Sequence, residues 1–447
     1  MFEPTLRLGV TGLSGAGKTV FITSLVANLL DRGRMTQLTA QTQGRIEAVV
    51  LQPQPDLTLP RFDYENHLAA LFGDSPRWPA STRAISELRL SFRLRPQGFF
   101  AGLSGPQTLH LDIVDYPGEW LLDLSLLDKS YEAWSEETLA RLSRRPEAAA
   151  FLAEARAADA GLPLDETAAK ALAAGFTEYL HAARHKGWSD LTPGRFLLPG
   201  DLAGSPVLTF APLPKPDTPA RVSLWREMER RYEGYKSRVV KPFFRDHFAR
   251  IDRQVVLMDV LGAIHQGPPA VEDLRRTMSE ILATFRPGLN GWLTSLLGGR
   301  RVERILFAAT KADHLHHHQH PRLTAIAEAM LAEAKRRADF SGAKTMALSL
   351  ASLRSTVEDT VQRDGAPLDV VRGRLLASGK TVAMHAGDLP EDPARILAPA
   401  REGAEGWLGA EYGLMAFAPA RMTLRPGEGP PHIRLDRAAE FLIGDRL

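Results

Sequence analysis

The 447-residue sequence contains no cysteine, which excludes disulfides and thiolate metal sites and fits a reducing compartment. No apolar run approaches the roughly 18–20 residues that span a bilayer. Neither sign of charge dominates: 55 Lys and Arg against 53 Asp and Glu leave a formal net charge of +2, so composition gives no argument for a nucleic-acid partner. Internal repeats and low-complexity tracts do not stand out. The first residues enter a strand-like stretch and lack the n- and h-regions of a signal peptide. With 44% hydrophobic and 24% charged residues the chain reads as an ordinary globular protein, expected to be soluble and cytoplasmic. Its length predicts a main domain with a large insertion or a second domain.

What is present is concentrated near the start. Residues 5–11 read as a short buried strand, residues 20–30 as a helix. Between them Gly12-Leu13-Ser14-Gly15-Ala16-Gly17-Lys18-Thr19 matches the G-x-x-x-x-G-K-[ST] phosphate loop in its strand–loop–helix context. Gly12, Gly15 and Gly17 are expected to allow positive φ and close approach of backbone to phosphate. The amides of Ser14, Gly15, Ala16, Gly17, Lys18, Thr19 and Val20 would form an anion nest at a helix N-terminus, where the macrodipole favours negative charge. Lys18 would reach the β- and γ-phosphates, and the Thr19 hydroxyl would bind Mg²⁺.

Two further motifs each follow an apolar strand. Residues 108–114 run into Asp115-Tyr116-Pro117-Gly118-Glu119, a D-x-x-G in which Asp115 would hold Mg²⁺ through water and the Gly118 amide would meet a γ-phosphate. Asp259 and Gly262 form a second D-x-x-G; Asp115 is preferred because its preceding strand order fits. Residues 303–309 deliver Thr310-Lys311-Ala312-Asp313. The Asp313 carboxylate can accept from guanine N1–H and N2–H₂, whereas adenine would leave it unpaired. Lys311 would lie along the base and brace the phosphate loop. After the strand at 345–350, the backbone of Ala351 and Ser352 would meet the base O6.

The intervening chain predicts an α/β fold: a Ras-like P-loop mixed sheet flanked by helices, with a large helical insertion. Residues 1–120 and 251–360 form the two halves of the core, 121–250 the insertion, and 361–447 a C-terminal extension. Residues 34–80 read as irregular apart from a short helix at 64–71, and 86–94 as a half-buried strand entering a hairpin turn at 98–106. In the insertion, 136–158 and 165–185 read as helices. Residues 220–248 carry Val222, Trp225, Met228, Tyr232, Tyr235 and Val239 at helical spacing, which predicts a packed apolar stripe. Gly373 to Thr381 imitates a second phosphate loop, but five residues separate its glycines and strands flank it, so it reads as a hairpin. His314, His316, His317, His318 and His320 read as a solvated loop without a carboxylate companion at ligand spacing. The last residues predict a strand entering a docked helix.

Several of these segments together resemble the bacterial YcjX family of stress-related P-loop GTP-binding proteins. They are residues 12–19, 115–120 and 310–313, Pro193-Gly194-Arg195-Phe196-Leu197-Leu198-Pro199-Gly200, Val239-Val240-Lys241-Pro242-Phe243-Phe244, and the tail Phe441-Leu442-Ile443-Gly444-Asp445-Arg446-Leu447. The resemblance spans essentially the whole chain. It implies a GTPase with bound GTP or GDP and Mg²⁺, acting in an envelope-stress system beside an activating protein or an inner-membrane partner, peripheral to that membrane. Carried over by motif, Gly15, Gly17, Lys18 and Thr19 bind phosphate and Mg²⁺, Asp115 and Gly118 sense the γ-phosphate, and Lys311 and Asp313 select guanine. Thr82 is the expected first-switch ligand of Mg²⁺. Glu119 stands where many GTPases carry Gln; an ionised carboxylate cannot donate and repels the γ-phosphate, so hydrolysis is expected to be slow. Two alternatives stay open: an ATPase, and a nucleotide-dependent binding module with negligible hydrolysis.

Overall fold

The computed structural model describes residues 3–13, 15–80, 84–96, 105–284, 302–340, 342–409 and 411–447. The chain divides into two compact units: Met1–Pro117, Ile251–Arg275 and Arg300–Leu447 form the first, Gly118–Arg250 and Arg276–Gly299 the second.

The first unit is an α/β unit built on a seven-stranded sheet. Its strands are β1 (Thr5–Gly12), β2 (Ile46–Gln52), β3 (Ser86–Leu94), β4 (Gln107–Asp115), β5 (Arg253–Met258), β6 (Arg304–Ala309) and β7 (Lys344–Ser349), in the order β2-β3-β4-β1-β5-β6-β7. β2 and β4 pair antiparallel with β3; β4, β1, β5, β6 and β7 are mutually parallel. Period-two alternation decides which side chains meet the core. Leu6, Leu8 and Val10 of β1, Leu88, Leu90 and Phe92 of β3, and Leu109, Leu111 and Ile113 of β4 join one buried cluster. It includes Phe21, Ile22, Leu25 and Leu29 of the helix Lys18–Leu30, and Leu435, Ala438 and Leu442 of the C-terminal helix Leu435–Ile443. The opposite face of these strands is polar but paired. Arg7 reaches Glu87 at 2.8 Å, and Arg89 holds Asp112 at 2.6 and 2.8 Å. Burial nonetheless pushes the Glu87 carboxyl upward, with the Arg7 guanidinium opposing the shift.

The tail is fastened by charge as well as apolar contact. Arg253, fully buried, donates to the Leu442 carbonyl at 3.0 Å and to Asp445 at 3.0 Å, and Arg304 reaches Asp445 at 2.9 Å. Before that helix the structure has a single antiparallel bridge between Ala351 and Ile433 in place of the expected strand. A second, three-stranded antiparallel sheet contains β8 (Thr356–Arg363), β9 (Ala366–Arg374) and β10 (Thr381–Met384). The Gly373–Thr381 segment is thus part of a hairpin, as its flanks indicate.

Where the expected elements and the structure differ, the reason is local. β2 lies within the stretch that reads as irregular because it is a half-exposed edge strand with a bulge between Ile46 and Ala48, which breaks the alternation. β8 is mostly polar and largely exposed, so it carries little strand signal. The hairpin turn between β3 and β4 lies largely outside the described residues.

The second unit is helical, with Tyr131–Leu142, Ala149–Ala157, Glu166–His185 and Leu224–Tyr235 its longest described helices apart from the end of Pro268–Thr284. The helix expected over 136–158 is broken because Arg145 precedes Pro146 and takes an extended conformation. The helix expected from 220 starts at Leu224, capped by the Ser223 hydroxyl, so Val222 lies outside it and is 70% exposed. The rest of that stripe is buried as expected. Trp134 stacks on Tyr232 at 5.0 Å between centroids, and Phe210 lies against Tyr235 at 5.5 Å.

Asp123 is buried under this aromatic cluster, where it accepts from the Tyr235 hydroxyl and, at 2.7 Å, from the Gly194 amide. Desolvation pushes its carboxyl up to about 7, although both hydrogen bonds oppose the shift. Between pH about 4 and about 7 the unfolded chain would lose this proton while the folded chain keeps it, so this group makes stability fall as pH rises through that window. Asp123→Asn removes the group. Subtracting the variant's Tm–pH curve from the parent's is expected to leave a fall with rising pH across that window; a flat difference would contradict the burial account.

Candidate functional site

The parallel strands end along one edge of the sheet, which is where ligands bind in open α/β sheets. Register aligns these ends: Val10 faces Asp115, Gly12 faces Leu257, Met258 faces Ala309, and Ala309 faces Ser349. The segments that follow β1, β4, β5, β6 and β7 therefore include the phosphate-loop stretch, Asp115, Asp259, Lys311 with Asp313, and Ala351 with Ser352.

After β1 the chain turns through an Ala16 N–H to Leu13 carbonyl bond of 3.1 Å and starts the helix at Lys18. Gly15 and Gly17 have φ of 79° and 80°, the left-handed region that favours glycine. Gly12 departs from the expectation of positive φ. A Cβ there would lie 2.9 Å from Leu257 Cβ and 3.2 Å from Ala16 Cβ, so close packing of loop and strand, not conformation, requires glycine. Among the described residues no side chain caps the helix N-terminus, and its first turn has no acidic residue. Its orphan N–H groups and positive dipole end suit an anion. Ala16 is buried in the loop before this helix, and Val20 is half-buried in its first turn. Ser14 and Thr82 lie outside the described residues.

Lys18 donates to the Tyr116 carbonyl at 2.9 Å and lies 3.7 Å from Asp115 Oδ1. This brings the first and second motifs together. The Thr19 hydroxyl lies 3.5 Å from the Ala80 carbonyl, two residues before Thr82, so the chain leading to the expected first switch passes this hydroxyl. Thr19 and Asp115 are 7% and 2% exposed. Each carries the oxygen that a hard cation such as Mg²⁺ prefers as a ligand.

Gly118 and Glu119 open the second unit, in the helix Gly118–Leu122. Glu119 is 3% exposed, and its Oε1 lies 3.1 Å from the Arg184 guanidinium. A Cβ on Gly194 would collide with the Glu119 carbonyl at 2.2 Å, which explains the glycine in the Pro193–Gly194 pair.

At the other side of the edge, Thr310 ties β6 to β5 by donating its amide at 2.9 Å to the Met258 carbonyl, which its hydroxyl also reaches at 3.2 Å. Lys311 is a non-glycine residue at φ 61°, a strained conformation typical of functional sites. Its ammonium pairs with Asp259, whose other oxygen caps the following helix by accepting from Gly262 N at 2.9 Å. The second D-x-x-G thus has a local structural use. Asp313 is 5% exposed, and its Oδ2 accepts from the Ser355 amide at 2.9 Å and hydroxyl at 2.6 Å. The Thr356 hydroxyl donates to the Asp313 carbonyl. Ala351 donates its amide to Ile433 at 3.1 Å, while Ser352 is buried beside it.

Sequence reasoning did not anticipate Ser355, the Tyr116 carbonyl or Arg184, since each acts through a contact distant in the chain. Asp259 carried a signal as a rival D-x-x-G. No helix among the described residues is long and apolar enough to cross a membrane.

Comparison with known proteins identifies the family. The family model described as "YcjX-like family, DUF463" matches residues 6–447. The chain is 37% identical over 456 residues to the "Ras-like GTPase YcjX" of Escherichia coli (strain K12), covering 99% of this chain and 96% of that protein. It is 36% identical over 468 residues to a protein of the same name from Shewanella oneidensis, covering 99% and 94%. Matched by that family model from residue 6 to 447 and similar to both relatives over 99% of its length, the chain belongs to the YcjX-like family.

Proposed function

We propose that the chain binds guanine nucleotides and hydrolyses GTP slowly, acting as a nucleotide-controlled switch in a bacterial stress response. The observation that carries the reading is the buried Asp313 carboxylate, oriented by both donors of Ser355 on the strand edge that also bears the phosphate loop. Two family relatives carry the name Ras-like GTPase. In this reading the amides from Ser14 to Val20 and Lys18 hold the phosphates, and Asp313 reads guanine N1 and N2 with Lys311 along the base. Ser352 remains the candidate for O6, because Ala351 gives its amide to Ile433. Mg²⁺ would be held by Thr19, Asp115 and Thr82, and when bound it neutralises charge between the β- and γ-phosphates. Gly118 is assigned to γ-phosphate sensing and Glu119 to the attacking water. The protein would work in the cytoplasm, with an activating protein or a peripheral site at the inner membrane as its partner.

The rival reading of a nucleotide-dependent binding module has one observation in its favour: Arg184 already engages the Glu119 carboxylate. Calorimetric titration with GTP, GDP, ATP and ADP in Mg²⁺, beside phosphate release, tests the proposal. Tight guanine binding with slow release is expected. Equal adenine binding would make the chain an ATPase, and no release at all would favour the binding module.

Two variants sharpen the test. Ser355→Ala removes the hydroxyl on Asp313 and is expected to weaken GTP binding by about 1 kcal/mol, roughly fivefold, with ATP affinity unchanged. A fluorescent-nucleotide titration reads this, and equal losses for both nucleotides would count against base reading. Glu119→Gln supplies an amide that can donate and removes a negative charge beside the γ-phosphate. Single-turnover phosphate release is expected to rise about fivefold, corresponding to roughly 1 kcal/mol of barrier; an unchanged rate would remove Glu119 from the chemistry.

A further inference from the structure

The histidine run at 316–318 departs from its reading as a solvated loop without companions. A short 3₁₀ turn, His317–Gln319, folds the three adjacent side chains together instead of letting them diverge. Ring centroids lie 4.2–4.5 Å apart, and one nitrogen from each ring falls within 4.8 Å of the other two. Carboxylates meet them from the second sheet. Glu358 Oε2 on β8 lies 2.7 Å from His317 Nδ1 and 3.8 Å from His316 Nε2. Asp369 Oδ2 on β9 lies 3.0 Å from His318 Nδ1 and 3.4 Å from His316 Nδ1. The His316 side chain is only 10% exposed, and its Nδ1, although near Asp369, makes no hydrogen bond. A buried imidazole with a carboxylate near each ring nitrogen, one nitrogen without a hydrogen bond, and two further imidazoles beside it together form a donor set suited to a metal ion.

The neighbouring histidines lie outside the cluster of three. His320 Nε2 donates to the Ala312 carbonyl at 2.8 Å, and His314 packs edge-on against Phe417 at 5.3 Å. We propose that His316, His317 and His318, with Glu358 and Asp369, bind a divalent transition metal ion of the Zn²⁺ class. Imidazole nitrogen suits Zn²⁺, Ni²⁺ or Cu²⁺ and not the harder Mg²⁺ or Ca²⁺. Tetrahedral ligation at about 2.0–2.1 Å needs nitrogens about 3.3 Å apart, so the rings must draw together slightly. His317 and His318, 57% and 66% exposed, have the freedom to do so. A carboxylate either completes the shell or orients a ligating ring through its other nitrogen.

The site has a structural consequence. His316 follows Asp313 by three residues, and Glu358 follows Ser355 by three. A metal bridging them would fasten the Asp313 segment to the start of β8, where Ser355 and Thr356 already hold Asp313. Loading should therefore tighten base recognition, a consequence that rests on the guanine reading, whereas the binding itself does not.

The test uses the full-length, untagged chain after chelator treatment. Calorimetric titration with Zn²⁺ in the presence of excess Mg²⁺ is expected to show one equivalent bound, and Co²⁺ to give the visible bands of a low-coordinate nitrogen site. The exposed double variant His317→Ala/His318→Ala, and separately His316→Ala, are expected to lose at least about tenfold in affinity. The double variant should keep the metal-free Tm of the parent. Absence of Zn²⁺ binding, or binding unchanged in both variants, would overturn the proposal. GTP affinity, measured with and without Zn²⁺, judges the consequence separately: a chain that binds Zn²⁺ but not GTP would sink the guanine reading and leave the metal site standing.

Discussion

Parallel hydrogen bonding of β1 to β4 on one side and β5 on the other places the ends of these strands together. Two glycines show how tight this centre is: at Gly9 a Cβ would lie 2.5 Å from Ile251, and at Gly12 2.9 Å from Leu257. Because β6 and β7 continue the parallel arrangement, segments separated by hundreds of residues emerge at the same edge. Lys18 can therefore reach the Tyr116 carbonyl, and Lys311 can pair with Asp259, without any of these segments being neighbours in the chain.

That geometry separates two kinds of information in the sequence. Contiguous motifs were legible because their chemistry is local: Gly15 and Gly17 adopt the positive φ that the phosphate loop requires, and Thr310 to Asp313 follow a buried strand. Apolar strands with regular alternation, such as β3 and β4, were legible for the same reason. The supporting contacts were not. Ser355 orients Asp313 from 42 residues away, and Glu358 meets His317 across 41. Nothing in the spacing of a single sequence marks such pairs. Polar or edge elements were also hidden: β8 buries too little to leave a hydrophobic period, and β2 interrupts its own with a bulge.

The helical unit illustrates a different limit. Its apolar stripe was readable from Trp225, Met228 and Tyr232, which are buried, but its breaks depended on particular residues. Pro146 divides one expected helix, and Ser223 caps another four residues late. Glu119 is informative at both levels. Its position after Gly118 drew attention to the chemistry of the attacking water, whereas only the fold revealed Arg184 beside its carboxylate. An ion pair there gives this carboxylate a defined position and charge partner within the helical unit.

The central claim is that Asp313 reads a guanine base, and nucleotide affinity of Asp313→Asn tests it most directly. Xanthine carries a carbonyl where guanine has its 2-amino group, so an asparagine amide would donate to xanthine and lose its match to guanine. The account predicts that GTP binding falls by at least about tenfold while xanthosine triphosphate binding rises, with ATP affinity unaltered. GTP affinity equal to that of the parent, or a uniform loss across all three nucleotides, would contradict it.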